Sequence, residues 1–122
     1  MTVNFGSLYE NKVKTLFHYI DARKWNNLEG MLHDEVEYYR PGYSLFVGKL
    51  EVMDFYKNER VVADGHHAIE CVTFSGERLS CWGEFLGVLK NAEHVSVRFA
   101  DVYQLKEKRI YRRETFFSKA VI

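Results

Sequence analysis

An aspartate, Asp101, stands among apolar residues in a segment that alternates like a β-strand. Val95, Val97, Phe99 and Tyr103 share its parity, whereas the positions between them are mostly polar. Because alternate side chains of a strand point to the same face, the pattern predicts a carboxylate on the buried face. Burial disfavours the charged form, so such a group must be paired, neutral or functional. Asp101 is therefore a candidate general acid or base, and the alternatives are a hydrogen-bonded structural aspartate or one at a wet pocket mouth.

Two adjacent histidines, His66 and His67, precede a second strand-like run. His67 shares a face with Ile69, Cys71 and Thr73, and His66 lies on the opposite face, so the pair cannot chelate one metal ion. Histidine is the side chain whose ordinary pKa lies near neutrality, which suits His67 to proton transfer. The alternative is a half-buried histidine that fills the sheet edge.

A second carboxylate, Glu84, shares a strand face with Trp82, and Arg113 lies where either face is possible. For Arg113 a surface position beside Glu114 is favoured by pattern alone. The candidate substrate-binding residues are Glu84, Trp82, Phe99, Tyr103 and Arg113.

Composition excludes several classes of protein. The 122 residues predict one domain over 1–122, and 17 basic against 17 acidic residues give no field to hold nucleic acid or anionic lipid. No stretch approaches the roughly 20 apolar residues of a membrane span, and residues 1–5 lack a signal-peptide pattern, so we expect a cytoplasmic protein. No phosphate-binding loop, G-x-S-x-G motif or metal-ligand spacing is present, so neither cofactor nor metal is expected.

The first half of the chain reads as helices. Apolar residues over 9–20 fall on one helix face, and a second, shorter helix is predicted with Asn26 as its cap. A short strand over Val36–Arg40 ends at the turn Pro41-Gly42, and a third helix is predicted over Leu50–Asn58.

The second half reads as four strands joined by short turns. The predicted strands are His66–Phe74, Leu79–Leu89, His94–Leu105 and Arg109–Ser118. Gly83 and Gly87 inside the second of them predict a bulge or bend, and hence a strongly curved antiparallel sheet. Helices followed by such a meander predict an α+β fold in which three helices cover the concave face and leave a pocket between.

Two further expectations follow from this arrangement. Cys71 and Cys81 flank the turn at Gly76 and are expected to be free thiols on paired strands. The convex face has no helix left to cover it, so we expect a homodimer through the sheet.

The order of these elements resembles the nuclear-transport-factor-2-like fold. Within it the chain resembles the SnoaL-like polyketide cyclase, scytalone dehydratase and ketosteroid isomerase group. The resemblance rests on Asp21 with Trp25, on Glu37-Tyr38-Tyr39-Arg40-Pro41-Gly42, and on residues 65–70, 99–103 and 109–117. It implies a cone-shaped fold around a hydrophobic pocket, with no cofactor.

The resemblance also implies roles for residues. Asp101 resembles the acid/base aspartate of the cyclases and the oxyanion-binding acid of the isomerases. His67 resembles the catalytic histidine of the dehydratases, Asp21 the aspartate that holds it, and Tyr39 the tyrosine that polarises the substrate. Arg40 stands where the isomerases have their general base, and the second dehydratase histidine is missing.

The leading hypothesis is a lyase, isomerase or cyclase that performs acid–base chemistry on a hydrophobic small molecule with carbonyl or hydroxyl groups. Asp101 and His67 would move protons, Asp21 would orient His67, and Tyr39 would bind a substrate oxygen. The alternatives are a non-catalytic ligand-binding or dimerisation domain, and an epoxide hydrolase in which Asp101 works with Arg113 or Arg40.

Overall fold

The helices and strands follow one another in the predicted order. A computed structural model describes residues 4–120 and residue 122. Its elements are α1 (Phe5–Asp21), α2 (Trp25–Gly30), β1 (Leu32–Tyr39), β2 (Phe46–Val47), α3 (Lys49–Asp54) with a π-helical turn over Phe55–Glu59, β3 (Val62–Ser75), β4 (Arg78–Leu89), β5 (His94–Lys106) and β6 (Arg109–Phe117). The four-strand meander and the three helices are therefore confirmed.

Helix α1 forms because its sequence supplies both a cap and an apolar stripe. The Asn4 side chain accepts a hydrogen bond from the Ser7 amide at 3.0 Å, which satisfies one free donor of the first turn. Four apolar side chains at helical spacing are buried against the sheet: Val13, Leu16, Phe17 and Ile20. This packing fixes the helix so that Asp21, its last residue, meets β3.

Two local predictions were wrong. Helix α2 begins at Trp25 after Lys24, with no side-chain cap, so Asn26 lies inside the helix instead of capping it. The first strand, β1, begins at Leu32 and ends one residue before Arg40. It starts earlier than predicted because Leu32 pairs with Ile110 of β6.

The sheet has six strands in the order β2-β1-β6-β5-β4-β3. Strands β3 to β6 pair antiparallel, but β1 pairs parallel with β6. The predicted antiparallel sheet is therefore a mixed one, with a short extra strand, and it does not close into a barrel. The long return from β1 through α3 to β3 makes the parallel pairing possible.

Glycine bends the sheet as predicted. A Cβ atom on Gly83 would overlap the carbonyl oxygen of Ala68 on the neighbouring strand. The register of β3 shifts between Ile69 and Cys71, next to this contact. The close approach and the bulge curve β3 and β4 around α1.

The core lies between the concave face of the sheet and the helices. Cys81 is buried in it and Cys71 is half-buried, and both are free thiols, as predicted. Cys81 pairs with Val72 rather than with Cys71, because of the same bulge. Among the described residues, no helix is both long enough and apolar enough to span a bilayer.

Candidate active site

A small cavity lies inside the cone, between α1, the π-helical turn and the inner faces of β3, β5 and β6. Its volume is about 10 Å³, which is room for roughly one water molecule. Apolar wall is supplied by Phe17, Ile20, Phe99, Phe117 and Ile122. The cavity is less hydrophobic than expected, because the other lining residues are polar: Arg40, Tyr56, Arg60, His67, Asp101, Arg113 and Thr115.

His67 is held by Asp21, as expected from the sequence. The His67 Nδ1 atom lies 2.6 Å from Asp21 Oδ1, and the His67 amide donates to Asp21 Oδ2 at 2.8 Å. A carboxylate can only accept, so Nδ1 carries the proton and the lone pair lies on Nε2. The neighbouring His66 side chain is 75% exposed on the other face of β3, whereas that of His67 is 8% exposed.

The surroundings of His67 keep its imidazole neutral. The centre of its ring lies 4.4 Å from the ring centre of Phe17, 4.7 Å from that of Phe85 and 5.3 Å from that of Phe99. Burial among these rings lowers the pKa of His67, and the nearby guanidinium groups add to that effect. The hydrogen bond to Asp21 works in the opposite direction and does not outweigh burial. A neutral imidazole with a free Nε2 is a general base.

Asp101 lies on the buried face of β5, as predicted, but its partners make it a different kind of group. It is 0% exposed. Its Oδ2 atom accepts from the Tyr103 hydroxyl at 2.6 Å and from Arg113 Nε at 2.9 Å, and its Oδ1 atom accepts from Thr115 Oγ1 at 2.6 Å. Three donors satisfy a carboxylate, so the contacts favour a fixed anion over a proton carrier.

Arg113 points inward, against the surface position that pattern alone favoured. In the pairing of β5 with β6, Gln104 faces Arg112 and Leu105 faces Ile110, so Tyr111 is an extra residue. This bulge puts Ile110 and Arg113 on the same face although they are three residues apart. Despite burial, Asp101 raises the pKa of Arg113 well above its usual range.

Hydrogen bonds extend from this ion pair to three more residues. The Thr115 hydroxyl donates its hydrogen bond to Asp101, so it accepts one from the Tyr38 hydroxyl, at 2.9 Å. Tyr38 in turn accepts from Arg40 Nη1 at 2.9 Å. On the other side, Arg113 Nη1 donates to the Tyr56 hydroxyl at 2.6 Å.

Three of the sequence candidates lie away from the cavity. Tyr39 is 39% exposed on the outer face of β1, and it is Tyr38 that points inward. Trp82 is also 39% exposed, and Glu84 accepts a hydrogen bond from Ser96 on the outer face of the sheet. The inner face of β4 carries Cys81, Gly83 and Phe85 instead.

His67 and Asp101 share the cavity wall, yet no hydrogen bond between them occurs in the described part of the chain. Phe99 lines the cavity and Tyr103 binds Asp101, so both face inward as expected. Sequence reasoning missed Tyr38, Tyr56, Arg60 and Thr115. For Tyr38 and Arg40 the predicted strand Val36–Arg40 contained a usable signal. Residues two apart in a strand share a face, so these two polar-tipped side chains were expected to point the same way.

Comparison with known proteins agrees with this architecture. The profile of the SnoaL-like domain family matches residues 13–113. No curated protein matches the sequence.

Solved structures show the same fold at low sequence identity. An NTF2-like protein of unknown function from Burkholderia pseudomallei is 19% identical over 89% of both chains, with a TM-score of 0.82. A candidate SnoaL-like polyketide cyclase from a Jannaschia species is 12% identical over 97% of this chain and 90% of its own, with a TM-score of 0.80. An LEH-like epoxide hydrolase from M. tuberculosis is 13% identical over 87% and 79%, with a TM-score of 0.76.

Proposed function

We propose that this chain, which belongs to the SnoaL-like domain family, is an enzyme. In the proposed reaction, His67 abstracts a proton from a small molecule bearing carbonyl or hydroxyl groups. The observation that carries the proposal is the 2.6 Å contact of Asp21 with His67, a residue that lines a buried cavity. The arrangement supplies a neutral base, a carboxylate to stabilise that base once protonated, and cations to receive developing negative charge.

The proposed step needs only residues of this chain. Nε2 of His67 takes a proton from the carbon next to a substrate carbonyl. The electron pair of that C–H bond becomes the carbon–carbon double bond of the enolate, and the π pair of the carbonyl moves onto its oxygen. Asp21 stabilises the imidazolium, and a guanidinium of the cavity stabilises the enolate. Return of the proton to another carbon gives an isomerase, loss of a β-hydroxyl gives a dehydratase, and attack on a second carbonyl gives a cyclase.

Asp101 has a positioning role in this scheme. It accepts from Arg113 Nε at 2.9 Å and so fixes the guanidinium that also holds Tyr56. The expectation that Asp101 itself carries the proton is replaced by this role, because all its contacts are donors.

The test is exchange of carbon-bound protons in heavy water. 2-Tetralone and 1-indanone exchange slowly by themselves, and NMR measures how fast the protein accelerates the loss of their α-proton signals. His67→Asn should reduce the acceleration by about 100-fold or more. The control is His94→Asn, which changes an exposed histidine at the start of β5 and should leave the rate as it is. A folded His67→Asn protein with the wild-type rate would contradict the proposal.

Epoxide opening is a second candidate because Asp101 and Arg113 form a buried carboxylate–guanidinium pair. A similar structure is an LEH-like epoxide hydrolase. The reaction would also use a carboxylate to activate water, and Asp21 is bonded to His67 instead. Incorporation of ¹⁸O from labelled water into styrene oxide distinguishes this candidate from proton abstraction. Ligand binding without either reaction would favour a binding domain.

We also propose a homodimer through the outer face of the sheet. Four large apolar side chains are exposed on the outer faces of β4, β5 and β6: Trp82, Leu86, Val102 and Phe116. Apolar groups clustered on one face favour association with a second copy. A monomeric mass by light scattering at micromolar concentration would overturn this.

A further inference from the structure

Two arginines of the cavity wall have donors without acceptors. Arg40 is 7% exposed and Arg60 is 8% exposed. The Nε atom of each is buried and has no hydrogen-bond partner among the described residues. Buried N–H groups are nearly always paired in folded proteins, and leaving one unpaired is costly. Two such donors on side chains that line one cavity indicate that the cavity is completed by an acceptor from outside the chain.

Aromatic contacts do not replace that acceptor. The Arg40 guanidinium lies 4.9 Å from the centre of the Phe55 ring and 5.1 Å from that of Phe117. Arg60 lies 5.7 Å from the ring centres of both Tyr56 and Phe85. Such contacts stabilise the charge from above a ring face, and they leave the N–H bonds in the guanidinium plane free.

The carboxylates near the cavity are already engaged. Asp101 binds Arg113, Tyr103 and Thr115, and Asp21 binds His67. Three guanidinium groups against these two carboxylates leave one positive charge in excess. The positive charge also acts on Tyr38. Burial raises the pKa of its hydroxyl, but the guanidinium groups of Arg113 and Arg40 lower it by more, so the net shift is downward.

We propose that the cavity selects an anionic substrate, a carboxylate that also bears a carbonyl group, whose two carboxylate oxygens accept from Arg40 Nε and Arg60 Nε. One excess charge matches a monoanion, and two donors match the two oxygens of one carboxylate. This inference rests on the proposed function for the reacting carbon beside His67. It adds a charged end to the hydrophobic ligand expected from the sequence.

A larger depression gives the rest of such a molecule a place. It has a volume of about 460 Å³, within the range of ligand pockets, and Pro41, Tyr43, Val61 and Lys119 line it. Phe117 and Ile122 belong to the walls of both the depression and the inner cavity. Because the inner cavity holds only about one water molecule, the carboxylate enters by displacing these two side chains. The body of the substrate then lies in the depression, with Tyr43 beside it.

Binding is measured with acetate, benzoate and phenylpyruvate, and with benzamide as the neutral counterpart of benzoate. Benzoate at a hundredfold excess over its Kd should raise Tm by about 10 °C, and benzamide should leave it unchanged. Arg40→Gln and Arg60→Gln should each weaken benzoate binding tenfold or more in calorimetry. Arg109→Gln, at an exposed arginine of the β6 start, is the matched control and should bind as the wild type does.

In a second measurement only the wild-type protein is titrated with benzoate, and the variants serve only to assign signals. The Nε–Hε signals of arginines appear in ¹H–¹⁵N spectra, and the signals that disappear in Arg40→Gln and Arg60→Gln identify the two groups. Both signals should shift when benzoate is added to the wild-type protein. If Arg40→Gln fails to fold, Arg60→Gln still serves, since the Arg60 side chain takes no part in the Asp101 network.

The inference is overturned if none of the three anions binds at 10 mM, if Arg60→Gln binds benzoate as tightly as the wild type, or if neither Nε signal moves. A wild-type protein that exchanges 2-tetralone protons through His67 but binds no anion would overturn this inference and leave the proposed function standing. Binding of benzoate through Arg40 and Arg60, without exchange in any carbonyl compound, would overturn the proposed function instead.

Discussion

Two carboxylates beside the same cavity, Asp21 and Asp101, differ in what they bind. Asp21 ends a helix and accepts from an imidazole and an amide. Asp101 lies in the middle of a strand and accepts from a guanidinium and two hydroxyls. An imidazole exchanges its proton near neutral pH, whereas a guanidinium keeps its charge at any pH a protein meets.

The difference assigns the two halves of the cavity to different tasks. On the side of α1 and β3, the His67–Asp21 pair has a proton acceptor, and we name this side, where the proposed reaction takes place, the reactive half. On the side of β5 and β6, the Asp101–Arg113 pair is closed by its own donors, and it is the scaffold half. A buried carboxylate is therefore a poor guide to catalysis until its partner is known.

The largest expected effect is on the scaffold half. Asp101→Asn leaves Arg113 buried without its counter-charge, and breaking such a pair costs about 3–5 kcal/mol of unfolding free energy. Urea denaturation measures the loss, with Asp64→Asn at an exposed position as the control. A variant within about 0.5 kcal/mol of the wild type, the range of neutral surface changes, would show that Asp101 does not hold this half together.

On the reactive half, Asp21→Asn should act on the rate more than on the fold. The amide oxygen accepts from only one of the two donors of His67, so the imidazole loses its fixed orientation, and exchange should slow by about 10-fold or more. Asp21 raises the pKa of His67, so its removal should also move the acidic limb of the pH–rate profile to lower pH. A limb that stays in place would mean that Asp21 acts only through packing.

Substitutions at the neighbours Tyr38 and Tyr39 compare the inner and outer faces of β1. Tyr38→Phe removes the hydroxyl between Arg40 and Thr115 and should cost about 1–3 kcal/mol in urea denaturation. Tyr39→Phe should change stability by less than about 0.5 kcal/mol, because its hydroxyl is on the exposed face. Equal effects of the two changes would contradict the inward direction of Tyr38.

The features that could be predicted from the sequence are those set by residues close together in the chain. Alternation and turns locate the four strands of the meander and put Asp101 on the inner face, since both signals act within a few residues. Family resemblance added the contact between Asp21 and His67, which are 46 residues apart.

The remaining site residues depend on features without a local signal. The inner face of β4 is marked by Gly83, whose missing side chain made the outer face with Trp82 look like the apolar one. Arg113 faces inward because of an extra residue opposite β5, and Arg60 is brought to the cavity from the end of a π-helical turn. A bulge shifts every later side chain to the other face, so alternation alone cannot place these groups.

The smallest expected effect separates the two halves by pH. The pKa of His67 lies below its usual 6.5 in the folded protein because burial disfavours the imidazolium. Below pH 6.5 the unfolded chain therefore takes up a proton that the folded chain does not, and the folded state loses stability as the pH falls toward the folded pKa. One proton limits this slope to about 1.4 kcal/mol per pH unit. The unfolding free energy of His67→Gln, which cannot titrate at this position, should fall less steeply than that of the wild type over this window. Parallel curves for His67→Gln and the wild type would mean that the buried imidazole accepts its proton as readily as one in water, and the neutral base that distinguishes the reactive half from the scaffold half would be lost.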